Sequence, residues 1–217
     1  MTITSFIHNI SVFSVLVPLA IGISWYKLQE ANSRTMLLLL GFASLAQLSV
    51  LIRADQIRFF CYNTYTLLDM LLWLYLFYQN IHIGKIRKLI IVMGVIEVIS
   101  VLTIFINLGV NSRFYNELVC MDSLSHIAFV LIYFYDLYKN ERNHKIENTS
   151  IFWFSISILI YAPSTYLLFC YFNQIKGSSF REDIWLMHDV LNTISYLIIA
   201  FGFIVNIKTR KYSDVSY

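Results

Sequence analysis

Seven apolar stretches fill most of this chain, each long enough to cross a bilayer and separated from the next by only a short polar segment. A helix needs about 20 consecutive apolar residues to span the hydrocarbon core. The stretches fall at about residues 5–26, 35–53, 60–80, 87–107, 114–138, 151–173 and 184–207. Each run is continuous and lacks the period-two alternation of a barrel strand, so helices are predicted. The expectation is an all-α, polytopic membrane protein, a seven-transmembrane-helix bundle forming a single domain over residues 1–217. Composition points the same way: 58% of residues are apolar and 13% charged, against about 25% charged in a soluble domain. The gaps between spans, and the tail from Lys208 to Tyr217, are too short to fold as a second domain.

The positive charges set an orientation. Lys27, Arg34, Lys85, Arg87, Lys88, Lys139, Arg142, Lys145, Lys208, Arg210 and Lys211 occupy one set of alternate gaps. Arg53, Arg58, Arg113, Lys176 and Arg181 occupy the other. The richer side is the cytoplasmic one by the positive-inside rule, which predicts the N-terminus outside and the C-terminus inside. Met1 to Ser5 carry no Lys or Arg, and no basic region or small-residue cleavage site marks the first span as a signal peptide. The net charge of +3 is then a by-product of topology and no sign of nucleic-acid binding.

Ionisable side chains within a span are costly and mark interior sites. In the third span Tyr62, Thr66, Asp69 and Trp73 share one helix face. In the fifth, Asp122, Ser125 and His126 are followed by Phe129 and Tyr133, and Asp122 and His126 stand one turn apart, within reach of each other. In the seventh, Trp185, His188, Asn192 and Tyr196 share a face, with Asp189 beside it. Asp69, Asp122 and Asn192 lie about 12–14 Å below the outer ends of their helices, and Glu97 of the fourth span about 15 Å, at the helical rise of 1.5 Å per residue. Tyr161, Pro163, Ser164 and Thr165 of the sixth span lie at a similar depth. Pro163 and Pro18 each remove a backbone hydrogen bond and favour a kink. An outward-opening polar pocket in the outer half of the bundle is predicted. Its candidate ligand-binding or proton-responsive residues are Asp69, Glu97, Asp122, His126, His188 and Asn192.

Simpler readings stand beside these. Asp122 with His126 also fits a local polar pair, and His188 with Asn192 also fits interhelical hydrogen bonding, which is worth about 0.6–2 kcal/mol. Glu97 fits either the shared interior or isolated burial. His8 and Asn9 read as interfacial, and His82 and His144 as solvated in inner loops. Aromatic residues, 17% of the chain, read first as an interfacial belt plus packing. Cys61, Cys120 and Cys170 all fall near the outer ends of their spans. An outer disulfide between two of them and three buried thiols both fit, and buried thiols are the simpler reading.

Known seven-helix chemistries narrow the choice. A retinal pigment is disfavoured, because no lysine stands between Arg181 and Lys208 to form the Schiff base. Seven-helix metal hydrolases of ceramide-type lipids gather several histidines and an aspartate. Here Asp69, Asp122, His126 and His188 are residue types that ligate zinc, with Asp122, His126 and His188 the set expected if a metal is present, but only one histidine, His188, lies in the last span. Transport needs polar groups along the whole path, and the inner half is nearly all apolar apart from Gln47 and Asp136.

Three segments carry a resemblance over the whole length: Asn63 to Tyr78 (NTYTLLDMLLWLYLFY), Phe152-Trp153-Phe154 leading to Tyr161, and His188 to Ile204 (HDVLNTISYLIIAFGFI). In these the chain resembles a diffuse group of uncharacterised seven-helix integral membrane proteins of Bacteroidetes-type bacteria, often encoded beside sensor histidine kinases. The resemblance implies residence in the bacterial inner membrane and a sensory or accessory role. Output would pass through a partner, a sensor kinase or another membrane protein, since the chain has no kinase or receiver domain. The functional expectation is a membrane sensor or accessory subunit. A metal-dependent lipid hydrolase and a small proton-coupled transporter are the alternatives.

Overall fold

In the computed structural model the described residues are 3–49, 52, 54–140, 146–171 and 178–215. The expected ends of the second and sixth spans, His144, and the charges at Arg53, Arg142, Lys145 and Lys176 lie outside them, in whole or in part. So do the side chains of Arg181 and Lys211.

The described chain is all-α. The helices are α1 (Ile3–Ser14), α2 (Leu16–Ser24), α3 (Ala31–Leu48), α4 (Asp55–Asn80), α5 (Gly84–Leu108), α6 (Asn116–Lys139), α7 (Ser150–Tyr171) and α8 (Ser178–Val215). α1 and α2 are one helix broken at Val15. Pro18 explains the position of the break: its missing N–H leaves the carbonyl four residues earlier, at Ser14, without an intrahelical partner. Pro163, by contrast, sits inside an unbroken α7. The Ser164 and Thr165 hydroxyls there donate back to the Tyr161 carbonyl at 2.7 and 3.1 Å. α5 ends at Gly109, whose positive φ of 81° suits a residue without a Cβ.

Among the described residues, five helical stretches are long and apolar enough to cross a membrane: Thr4–Ser24, Gly84–Leu108, Asn116–Lys139, Ser150–Cys170 and Glu182–Arg210. The surface agrees with the sequence. Ile106, Leu45, Ile96, Ile99 and Leu131 point outward, while Asn63, Asp69, Glu97, Asp122, His126 and Asp136 are buried. Polar groups inside and large aliphatic groups outside suit a lipid solvent. The chain is an integral membrane protein.

α3 and α4 are long enough but less apolar. α3 spans about 27 Å and α4 about 39 Å at the helical rise. Their polar residues sit on the bundle side: Ser33 and Ser44 of α3, and Asn63, Thr66 and Asp69 of α4, are buried.

The helices form a closed ring, with α2 against α3, α3 against α4, α4 against α6, α6 against α7, α7 against α8, and α8 back against α1 and α2. α5 stands outside this ring, packed on α4 and α6. At one end the ring interior is filled by Leu40, Phe77, Phe129, Tyr133, Phe154 and Phe203, all buried. Polar ties brace that end. Asn206 donates to Gln29 at 2.7 Å, Asn32 and Asn80 bond reciprocally, and Ser150 bonds Glu30. Asp136, 1% exposed, accepts from the backbone N–H of Ile83 at 2.9 Å and of His82 at 3.2 Å. It thereby holds the start of α5. His82 is half-exposed as expected for a loop residue, yet its Nδ1 lies 3.6 Å from Asp136.

Candidate functional site

The other end of the ring is not filled. A cavity of about 600 Å³ lies there, walled by α1, α3, α4, α6, α7 and α8. Its lining on α4 runs from Arg58 to Trp73, about 22 Å along the helix. His8, Phe59, Asn116 and Trp185 mark the mouth level, and Trp73, His126, Ile158 and Ile199 the floor. Below the floor begins the aromatic core around Phe77 and Phe129. The mouth end is shaped by Asn63, which donates to the carbonyls of Val110 and Arg113 and accepts from the Tyr115 N–H, pinning the α5–α6 turn onto α4.

Five of the six candidate residues line this single cavity: Asp69, Asp122, His126, His188 and Asn192. Glu97 does not. It is buried, with Oε1 lacking a hydrogen-bond partner among the described residues, but it belongs to α5, no residue of which lines the cavity. Its helix stands outside the ring, so depth alone did not place it with the others.

The five play different parts. Asn192 donates to the Ser11 hydroxyl at 2.9 Å and ties α8 to α1. Asp189 makes a second tie, its Oδ2 3.0 Å from Nδ1 of His8. His8 is thus half-exposed at the mouth and joined to α8, not merely interfacial. His188 is enclosed by the rings of Tyr161, Trp185 and Phe169 at 5.4, 5.7 and 6.2 Å between centroids, and its Nδ1 has no hydrogen-bond partner among the described residues.

Asp69, Asp122 and His126 come together at the floor. His126 Nε2 is 3.4 Å from Asp122 Oδ1 and 3.7 Å from Asp69 Oδ2. One ligating atom from each lies within 4.8 Å of the other two. The Tyr65 hydroxyl donates to Asp69 Oδ1 at 3.1 Å, leaving Oδ2 to face the cluster. Trp73 meets the His126 ring edge-on at 5.7 Å. The trio expected to hold a metal was Asp122, His126 and His188. The structure brings Asp69, rather than His188, beside Asp122 and His126, because α4 adjoins α6 while His188 is held among aromatic rings on α8.

Gln47, expected in the inner half, lines the cavity and donates to the Tyr196 hydroxyl at 2.9 Å. α3 runs toward the mouth, so its C-terminal end lies at cavity level. The polar residues that the sequence reading passed over, Gln29, Asn32, Asn80 and Asn206, sit at the filled end. Their only signal was being polar next to an apolar run.

Cys120 and Cys170, on α6 and α7 near the mouth, have sulfur atoms 2.7 Å apart, and both are free thiols, as is Cys61. They are partly exposed, not fully buried as the simpler reading held.

Comparison with protein-family models, curated proteins and solved structures gives no match to this chain.

Proposed function

We propose that this chain is a seven-span membrane sensor or accessory subunit of a bacterial inner membrane, with its cavity mouth outward and its basic end in the cytoplasm. The cavity is the observation that carries this reading. Its volume of about 600 Å³ falls within the roughly 300–1,000 Å³ of small-molecule sites. Aromatic walls with a few converging polar groups suit a mostly apolar organic molecule carrying one polar head. The head would meet the Asp69, Asp122 and His126 floor, and the body would lie among Tyr62, Tyr161 and Trp185.

Orientation is supported by the placement of charge. Lys27, Arg34, Lys85, Arg87, Lys88, Lys139, Lys208 and Arg210 all belong to the filled end of the bundle, opposite the mouth. These basic groups are the natural contact for a cytoplasmic or membrane partner, and the resemblance implies a sensor kinase in that position. A ligand shifts such a bundle only if it prefers one packing over another. The tie between His8 and Asp189 at the mouth is the contact that a bound molecule would reach first. The closed aromatic floor favours binding over transport.

Trp73 and Trp185 both line the cavity, so intrinsic fluorescence of the detergent-purified protein reports occupancy. Titration with a panel of small amphipathic molecules should give a saturable change for some members. That change should shrink in Trp73→Phe and Trp185→Phe and be unaltered in Trp153→Phe, outside the cavity. A panel that yields no saturable change, or one that survives both cavity substitutions, would refute the reading.

A further inference from the structure

From the convergence at the cavity floor we infer that Asp69, Asp122 and His126 form a binding site for one divalent transition-metal ion, zinc being the best fit. The inference deepens the sensor reading: the ion would be what the polar head of the cavity's ligand meets.

Three observations carry it. The first is donor geometry. Four ligands at about 2.0–2.1 Å around zinc stand about 3.3 Å apart at tetrahedral angles. The measured separations of 3.4 and 3.7 Å from His126 Nε2 to the two carboxylate oxygens are close to that edge. The remaining separation stays within 4.8 Å, and rotation of one carboxylate closes it.

The second is unmet bonding. Asp122 Oδ1 and His126 Nε2 are buried atoms with no hydrogen-bond partner among the described residues, and they stand 3.4 Å apart. Asp122 is 8% exposed and His126 6%. Buried polar atoms are nearly always satisfied, so two that point at one spot mark a missing partner.

The third is charge and support. Two buried carboxylates side by side cannot both carry charge without a cation beside them, and a dication compensates both. Tyr65 fixes Asp69 through the oxygen that the ion would not use. Trp73 holds the His126 ring. Outer groups of this kind orient metal ligands. Imidazole with two carboxylates suits zinc, and manganese or iron less selectively. Three protein ligands leave one position open toward the cavity, the arrangement of an exchangeable rather than a closed structural site. A head group with a Lewis-basic oxygen, nitrogen or sulfur would fill it.

The test uses the full chain in detergent micelles, stripped with a chelator and titrated with Zn²⁺ or Co²⁺ alone. The expected result is one ion per chain, with the intense visible absorption of four-coordinate Co²⁺. His126→Gln and Asp122→Asn should weaken binding more than about 100-fold, and Tyr65→Phe about tenfold, as supporting groups do. Asp136→Asn, which alters a buried carboxylate at the opposite end of the bundle, should bind as the parent does. Absence of stoichiometric binding or of the Co²⁺ band in the parent protein overturns the site, whether or not the variants fold. Equal loss in Asp136→Asn, or none in His126→Gln, overturns the ligand assignment. The readout is the ion alone, so its failure is separate from a failure of organic ligands to alter tryptophan fluorescence.

Discussion

Replacing Asp136 by alanine removes the acceptor that holds the start of α5 to α6. Its carboxylate accepts from Ile83 N–H at 2.9 Å and from His82 N–H at 3.2 Å on both oxygens. A hydrogen bond to a charged acceptor stabilises by about 1.5–3 kcal/mol. The Ile83 bond is short and belongs near the middle of that range. The His82 bond is longer, shared between two oxygens, and beside a half-exposed ring, so it merits the bottom of the range or less. Water can replace part of the loss at this edge of the bundle. A carboxylate at a helix N-terminus adds about 0.3–1 kcal/mol. Together these give a destabilisation of about 3 kcal/mol for Asp136→Ala. Asp136→Asn keeps one carbonyl oxygen for Ile83 and should cost about half as much. The assay is unfolding in mixed micelles followed by loss of helical ellipticity, with the free energy taken from linear extrapolation. Metal and ligand binding should be retained in the folded fraction, since Asp136 lies at the opposite end from the cavity. An alanine variant within 1 kcal/mol of the parent, or an asparagine variant as costly as alanine, would refute the assignment of Asp136 as the clamp on α5.

Other consequences can be measured directly. At Gly202 a Cβ would stand 2.8 Å from Phe154 Cε1 and 3.1 Å from Trp153 Cβ, so Gly202→Ala should destabilise by about 1–3 kcal/mol through overpacking, and a thermal midpoint equal to the parent's would contradict that close approach. Asn206→Ala strips the Gln29 side chain, whose Nε2 has no hydrogen-bond partner among the described residues, of its Oε1 hydrogen bond at 2.7 Å; a loss of about 1–3 kcal/mol is expected in the same unfolding assay. Diamide treatment should join Cys120 to Cys170, the two thiols giving up their hydrogens to the reagent, and peptide mapping should find that link with Cys61 still alkylatable. A fluorescent-protein fusion at the C-terminus should fluoresce and a phosphatase fusion there should be inactive, the reverse pattern contradicting the orientation.

Which features the sequence could reveal depended on how local their causes are. Helix character and membrane residence follow from runs of apolar residues, and each run acts alone. The faces of α4, α6 and α8 were also legible: Tyr62, Thr66, Asp69 and Trp73 repeat at helical spacing, and so do Trp185, His188, Asn192 and Tyr196, and all eight line the cavity. Depth estimates brought Asp69, Asp122 and Asn192 to one level because helical rise is constant. Glu97 and Gln47 show what such reasoning lacks. Whether a residue at the right depth meets the others depends on which helices adjoin, and helix adjacency comes from packing across distant segments. The exchange of Asp69 for His188 in the floor cluster has the same origin, since α4 touches α6 and that pairing leaves no mark in either helix alone. The break at Val15 was half legible: Pro18 announced it, but the freed carbonyl lies one turn earlier.

That break has a mechanical consequence. The lower segment, α2, is seated where Gly22 meets Leu37 and Phe203, and the upper segment, α1, is one leaf of the cavity wall. A continuous helix would act as a rigid rod, so tilting its top would unseat its bottom. Here the backbone hydrogen bond at the joint is already forfeited, and bending there costs little more. The leaf can turn while the base stays fixed, with Asn192 on Ser11 and Asp189 on His8 among its restraints. Contacts of the first kind are worth about 0.6–2 kcal/mol in a membrane, a few times thermal energy at most. The side of the cavity facing the lipid is therefore latched rather than sealed, and a lipid-soluble molecule could reach the floor sideways from the bilayer without entering through the mouth.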